Sequence, residues 1–130
     1  MKKMSMTLKV LLFITALFSL NAMAGEPHQV ISGDKLQSMM KDGKPIRIID
    51  VREPELFSEG HVPGAINIPY EVSRDRVLKE LAPNERIVFI CHSGPMGDKL
   101  GRLLKSKGYS DVYNLDNGMR KWRGPLEKSK

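Results

Sequence analysis

Cysteine is almost missing from this chain: one residue in 130. A lone thiol excludes an intramolecular disulfide and a zinc site built from paired cysteines. Charge of one sign is also scarce. The formal net charge is +6, and setting aside Lys2, Lys3 and Lys9 at the N-terminus takes it to +3. That excess is too mild to point to nucleic acid, and it reads as a solvated surface. No internal repeat and no low-complexity tract occur. The longest apolar run, Val10 to Leu20, falls short of the ~20 residues that cross a bilayer. The remaining composition, 41% hydrophobic, is ordinary for a globular protein of one domain.

The N-terminus has the three parts of an export signal. Lys2, Lys3 and Lys9 give a positive start, Val10 to Leu20 an apolar core, and Ala22-Met23-Ala24 small residues two apart before Gly25. We expect a signal peptide over residues 1–24 and a mature domain over residues 25–130, placed in a bacterial periplasm. No cysteine follows the apolar core, which excludes a lipoprotein anchor, and no stable membrane anchor is expected after cleavage. An uncleaved anchor is the rival reading. In an oxidising compartment an unpaired cysteine is unusual, which favours a functional thiol.

The rest of the chain alternates strands with helices. Gln29-Val30-Ile31 reads as an edge strand. Ser32 can cap a helix whose apolar face is Leu36, Met39 and Met40, and Asp42-Gly43-Lys44-Pro45 ends it. Ile46 to Val51 is apolar on both sides apart from Arg47 and Asp50, as suits a strand covered on both faces. Pro54 to Glu59 is a short helix closed by Gly60. Ala65 to Ile68 is a brief strand, and Val72, Val77, Leu78 and Leu81 mark a helix. Ile87 to Ile90 is the most apolar strand. Asp98 to Lys107 is a helix, with Leu100, Leu103 and Leu104 on one face and Gly108 as its C-cap. Val112 to Leu115 is the last strand, Asp116-Asn117-Gly118 a turn, and Met119 and Trp122 begin a final short helix. This order predicts an α/β fold with a parallel sheet and right-handed crossovers.

Chemistry concentrates where the fourth strand ends. Cys91 is followed by His92, Ser93, Gly94, Pro95, Met96 and Gly97, and then by a helix. A thiol attacks as thiolate, which helix N-termini and nearby positive groups favour. Inward-facing N–H groups of such a loop can hold an anion. The plain alternative is a structural cysteine buried at a strand end. Asp50 and Arg52 stand at the C-terminal end of another strand, the edge where open α/β sheets bind ligands.

At these positions the chain resembles a single-domain rhodanese. The resemblance rests on Ile48-Ile49-Asp50-Val51-Arg52-Glu53, Gly60 to Pro69, Cys91-His92-Ser93-Gly94, and Val112 to Gly118 with Trp122, in that order, and covers nearly all of Gln29 to Trp122. It implies a central five-stranded, mainly parallel sheet with helices on both faces. It implies a sulfurtransferase in which Cys91 takes sulfane sulfur from a donor such as thiosulfate, holds it as a persulfide, and yields it to cyanide or a thiol. Such two-step covalent transfer is ping-pong. Substrate contacts would come from His92, Ser93, Gly94, Met96 and Gly97, with Asp50 and Arg52 in support. No cofactor and no metal is implied.

Two positions depart from that family. The loop often carries Arg after the glycine, where this chain has Pro95 and Met96. The loop is less cationic for it, which bears on a dianion such as thiosulfate; His92, Lys99 and Arg102 could compensate in part. A second reading follows, of a non-catalytic or sulfur-carrying module that binds a protein partner. A cysteine phosphatase is disfavoured: its phosphate-binding Arg, six positions after the cysteine, is Gly97 here. Among the remaining residues, Asp50 and Arg52 read as bracing neighbouring loops, His61 as ordering its turn, Trp122 as core, and His28 as inert near a terminus.

Overall fold

The computed structural model describes residues 28–129. The expected signal peptide, residues 1–24, lies outside them. The described residues form β1 (Gln29–Ile31), α1 (Gly33–Lys41), β2 (Arg47–Asp50), α2 (Pro54–Glu59), β3 (Ile66–Asn67), α3 (Tyr70–Glu80), β4 (Arg86–Ile90), α4 (Pro95–Ser106), β5 (Asp111–Leu115) and α5 (Gly118–Lys121). The strands make one sheet in the order β1-β5-β4-β2-β3, and every pair in it is parallel.

Alternation along the strands divides the core in two. In β4, Ile87 and Phe89 point to one face, which Val77 and Leu81 and then Leu100 and Leu104 cover from α3 and α4. Val88 and Ile90 point to the other face, which Leu36 and Met39 of α1 cover together with Phe57, Met119 and Trp122. These four β4 residues are fully buried, each contributing roughly 1.5–3 kcal/mol relative to exposure. This is why β4 reads as an unbroken apolar run. Cys91 stays in phase with Ile87 and Phe89 and joins the α3–α4 face.

Ser32 caps α1 as its sequence suggests, accepting a hydrogen bond from the Lys35 N–H at 3.1 Å. Elsewhere the elements differ in detail. Of the four apolar markers, Val77 in α3 and Leu81 at its C-cap are buried, while Val72 and Leu78 are exposed. The final helix stops at Lys121, and Trp122 is extended, with its ring against the α1 start at Gly33.

His28 corrects an expectation. It is not an inert terminal residue: it is 5% exposed, and its ring sits where a Cβ on Gly101 of α4 would come within 2.7 Å. Its Nε2 lies 3.0 Å from Asp98 Oδ1, but not in line for a hydrogen bond. Burial lowers the His28 pKa from 6.5; Asp98 opposes that shift, while Arg102 and Lys105 add to it. A base that the fold keeps neutral binds more protons when unfolded, so stability falls as pH drops through 6.5 toward the lowered folded value. Urea unfolding across that range should show this acid-side decline, and His28→Gln should flatten it. An unchanged slope in that variant would assign the decline to other groups.

Candidate functional site

The helix after Cys91 starts earlier than its apolar spacing suggests. α4 begins at Pro95, with Gly94 as its N-cap. Pro suits this first position because its missing N–H has no helical partner to lose. Met96 and Gly97 therefore belong to the first helical turn. Its N–H groups have no partners within the helix and carry the positive end of its dipole.

The thiol lies directly against this helix start. Gly94 N donates to Cys91 Sγ at 3.0 Å, from a backbone with φ of 120° that glycine alone adopts readily. Donation from an N–H, together with the nearby helix N-terminus, stabilises negative charge on Sγ. Cys91 is 1% exposed, so its sulfur sits in a mostly protein environment in which such dipoles act strongly.

The loop is held by partners far away in sequence. Gly94 O accepts from Asp98 N at 2.9 Å and from Asn114 Nδ2 at 2.9 Å. Cys91 O accepts from Met119 N at 2.9 Å, and His92 O from Arg120 N at 3.1 Å. α5 thus binds the loop backbone through its own first turn. Two close approaches make this possible. A Cβ on Gly118 would stand 2.1 Å from Cys91 O, and one on Gly97 would stand 2.0 Å from Asn114 Oδ1. Asn117 adopts the left-handed conformation, φ 53°, which Asn tolerates.

The residues named from sequence fall into separate groups. Gly94, Met96 and Gly97 surround the helix start, whereas Asp50 and Arg52 form a buried pair outside the loop. Arg52 Nε lies 3.0 Å from Asp50 Oδ1 and Arg52 Nη2 lies 2.8 Å from Oδ2. Arg52 N also donates to Asp50 Oδ1, and Nη2 to Gly60 O. The pair ties the end of β2 to the end of α2. His61 orders the same corner: its ring stacks on Phe57 with centroids 3.8 Å apart, and its Nδ1 lies 2.8 Å from Phe57 O. Ser93 is half-buried in the loop between His92 and Gly94.

Two of the three basic residues nearby lie against carboxylates. Arg102 Nε pairs with Asp98 at 2.9 Å, and Lys99 lines a groove between α3 and α4. His92 Nε2 lies 2.8 Å from Glu53 Oε2. The Glu53 backbone N–H and then His92 hold the Glu53 carboxyl below the usual carboxylate range.

A cavity of about 290 Å³ opens beside the loop, lined by residues that include Val51, Glu53, Pro54, Tyr70, Glu71 and Met96. Its floor is the end of β2, adjoining β4 where Val51 N donates to Ile90 O at 2.9 Å. Tyr70 and Met96 pack on the core cluster that contains Cys91. The neighbouring α3–α4 groove, about 480 Å³, shares Tyr70 and Glu71 and carries Arg74 and Lys99. A further cavity of about 460 Å³, with Arg47, Arg86 and Asp111, lies at the N-terminal ends of the strands, away from the thiol.

Glu53, Asn114 and the α5 start were not singled out as site residues from sequence. Asn114 leaves a trace there: it is the one polar residue inside an otherwise apolar strand segment, and such groups need partners. Glu53 leaves none beyond its place at the strand edge.

Comparison with known proteins adds a family. The model described as the rhodanese-like domain matches residues 32–125. A candidate sulfur carrier protein of Bacillus subtilis is 35% identical over 75% of this chain and 52% of its own length, so the chain spans about half of that relative. The thiosulfate:glutathione sulfurtransferase of Homo sapiens is 32% identical over 82% of this chain and 98% of its own. Among solved structures, a rhodanese-like domain protein from Staphylococcus aureus superposes with a TM-score of 0.70 at 29% identity, covering 78% of this chain and 99% of that one.

Proposed function

Because the chain belongs to the rhodanese-like family, we propose that it is a sulfurtransferase working through a persulfide on Cys91. The observation that carries this reading is the Gly94 N–H on Cys91 Sγ at the start of α4. The thiolate attacks the sulfane sulfur of a donor such as thiosulfate. The donor's S–S bond breaks, sulfite leaves with the electron pair, and a Cys91 persulfide forms. A thiol or cyanide then takes the outer sulfur and regenerates the thiolate. Gly94, with the first-turn N–H groups of Met96 and Gly97, supports the anionic sulfur in both steps. His92 and Ser93 flank the nucleophile as substrate contacts, and the Asp50–Arg52 pair supports the site by bracing its rim. The chemistry calls for no cofactor. The test is persulfide formation on the reduced protein across a donor panel, read by intact mass.

A second reading, a sulfur-carrying module serving a protein partner, is favoured by the candidate sulfur carrier among the relatives. Slow turnover with free acceptors, but fast transfer of the Cys91 sulfur to a protein, would support it. We further propose export to the periplasm with cleavage after Ala24; an N-terminal sequence of the mature protein starting at Gly25 tests this.

A further inference from the structure

The cavity at the start of α4, whose Tyr70 and Met96 pack on the cluster that holds Cys91, has the wrong charge for a dianionic donor. Two of its walls are carboxylates, Glu53 and Glu71, and no Lys or Arg lines it. Glu53 is held in its ionised form, and Glu71 has no ion-pair partner among the described residues. Arg52 is committed to Asp50 and Arg102 to Asp98, while His92 Nε2 lies 2.8 Å from Glu53 Oε2 on the cavity wall itself. Arg74 and Lys99 face the next groove. The other walls, Val51, Pro54, Tyr70 and Met96, are mainly apolar. A cavity of about 290 Å³ is at the small end for ligand sites, so it suits a small molecule.

We propose that this cavity selects small persulfides in which the group flanking the reacting sulfur is neutral or cationic, with Glu53 and Glu71 setting the preference and Met96 the apolar wall. This rests on the sulfurtransferase reading and names its donor class. In the transfer, the Cys91 thiolate attacks the outer sulfur of R–S–SH. The new S–S bond forms as the old one breaks, and R–S⁻ leaves with the electron pair. The proton stays on the transferred sulfur, so no oxidant or reductant is consumed. An ammonium on R meets two carboxylates at the mouth, whereas a carboxylate on R, or thiosulfate itself, is repelled. Each partly exposed charge contact is modest, and two together give a preference of roughly tenfold.

The experiment compares cysteamine persulfide, mercaptopropionate persulfide and thiosulfate in single turnover, with Cys91 persulfide read by mass. The same donors are run on Glu53→Gln/Glu71→Gln and on Met96→Arg. Both glutamates are exposed, so the double variant should fold, and circular dichroism checks that it does. The wild type should take sulfur from the ammonium donor roughly tenfold faster than from the carboxylate donor. The double variant should bring that ratio near unity, and Met96→Arg should raise the thiosulfate rate. A wild type that takes sulfur from the anionic donors as fast, or a ratio unmoved by the double variant, overturns the inference and leaves sulfur transfer standing. Failure of every donor to load Cys91 would instead overturn the sulfurtransferase reading, and the donor preference with it.

Discussion

Cys91→Ser incubated with any donor that loads the wild type should gain no sulfur, and its steady-state transfer should fall by roughly a thousandfold or more. The reason is chemical. A hydroxyl at neutral pH is a far weaker nucleophile than a thiol and cannot hold sulfane sulfur as a persulfide. The fold should survive. Ser has the size of Cys, and its Oγ can accept the Gly94 N–H that now goes to Sγ at 3.0 Å. The opposing effect is a hydroxyl placed among Phe89, Leu100 and their neighbours, so a stability change of about 1 kcal/mol is expected. Intact mass with a urea titration on the same sample separates lost chemistry from lost structure. Sulfur transfer that persists in this variant would remove Cys91 from the mechanism.

Asp50→Ala should be the most damaging substitution for stability. Asp50 is fully buried and Arg52 is 6% exposed. Removing the carboxylate strands a buried guanidinium and leaves the Arg52 N–H without its acceptor. Breaking such a pair costs about 3–5 kcal/mol, a large fraction of the roughly 5–15 kcal/mol that holds a domain folded. The pair's net worth is a different quantity. Asp50→Ala/Arg52→Met removes both charges and should recover much of the loss, although Gly60 O still loses its donor. Urea unfolding of the two single variants and the double variant forms the required cycle. A loss under about 1 kcal/mol in Asp50→Ala would mean that water reaches Arg52 easily. Because the pair joins β2 to the corner after α2, fraying there should also loosen Glu53 and the cavity wall it forms.

How far the sequence carried the site can be traced residue by residue. The alternation in Ile87-Val88-Phe89-Ile90 requires two covered faces, and the fold supplies α3 and α4 on one and α1, α2 and α5 on the other. The parity of the same strand places Cys91 on the α3–α4 face. Pro95 was expected in the loop, ahead of a helix starting at Asp98. It is the first residue of α4, where the lost N–H would have had no helical partner. Leucine spacing marks the buried part of a helix, and its first turn at a loop has no apolar face to reveal it. His28 was misread because its burial comes from Gly101, more than seventy residues away, and nothing local to His28 signals that contact.

What the sequence by itself determined is the order of strands and helices, the parallel sheet, and one thiol at a strand end before a glycine and a helix start. Each follows from short-range rules: periodicity, turn residues and capping. Tertiary structure alone decided what surrounds the thiol. The Asn114 bond to Gly94 O, the α5 N–H groups on Cys91 O and His92 O, the Glu53–His92 contact and the acidic mouth with Met96 all join segments distant in the chain. The strand order β1-β5-β4-β2-β3 brings the ends of β2, β4 and β5 together at one edge. Local pattern carries no record of that juxtaposition, so the charge around the thiol could be read only once the sheet was assembled.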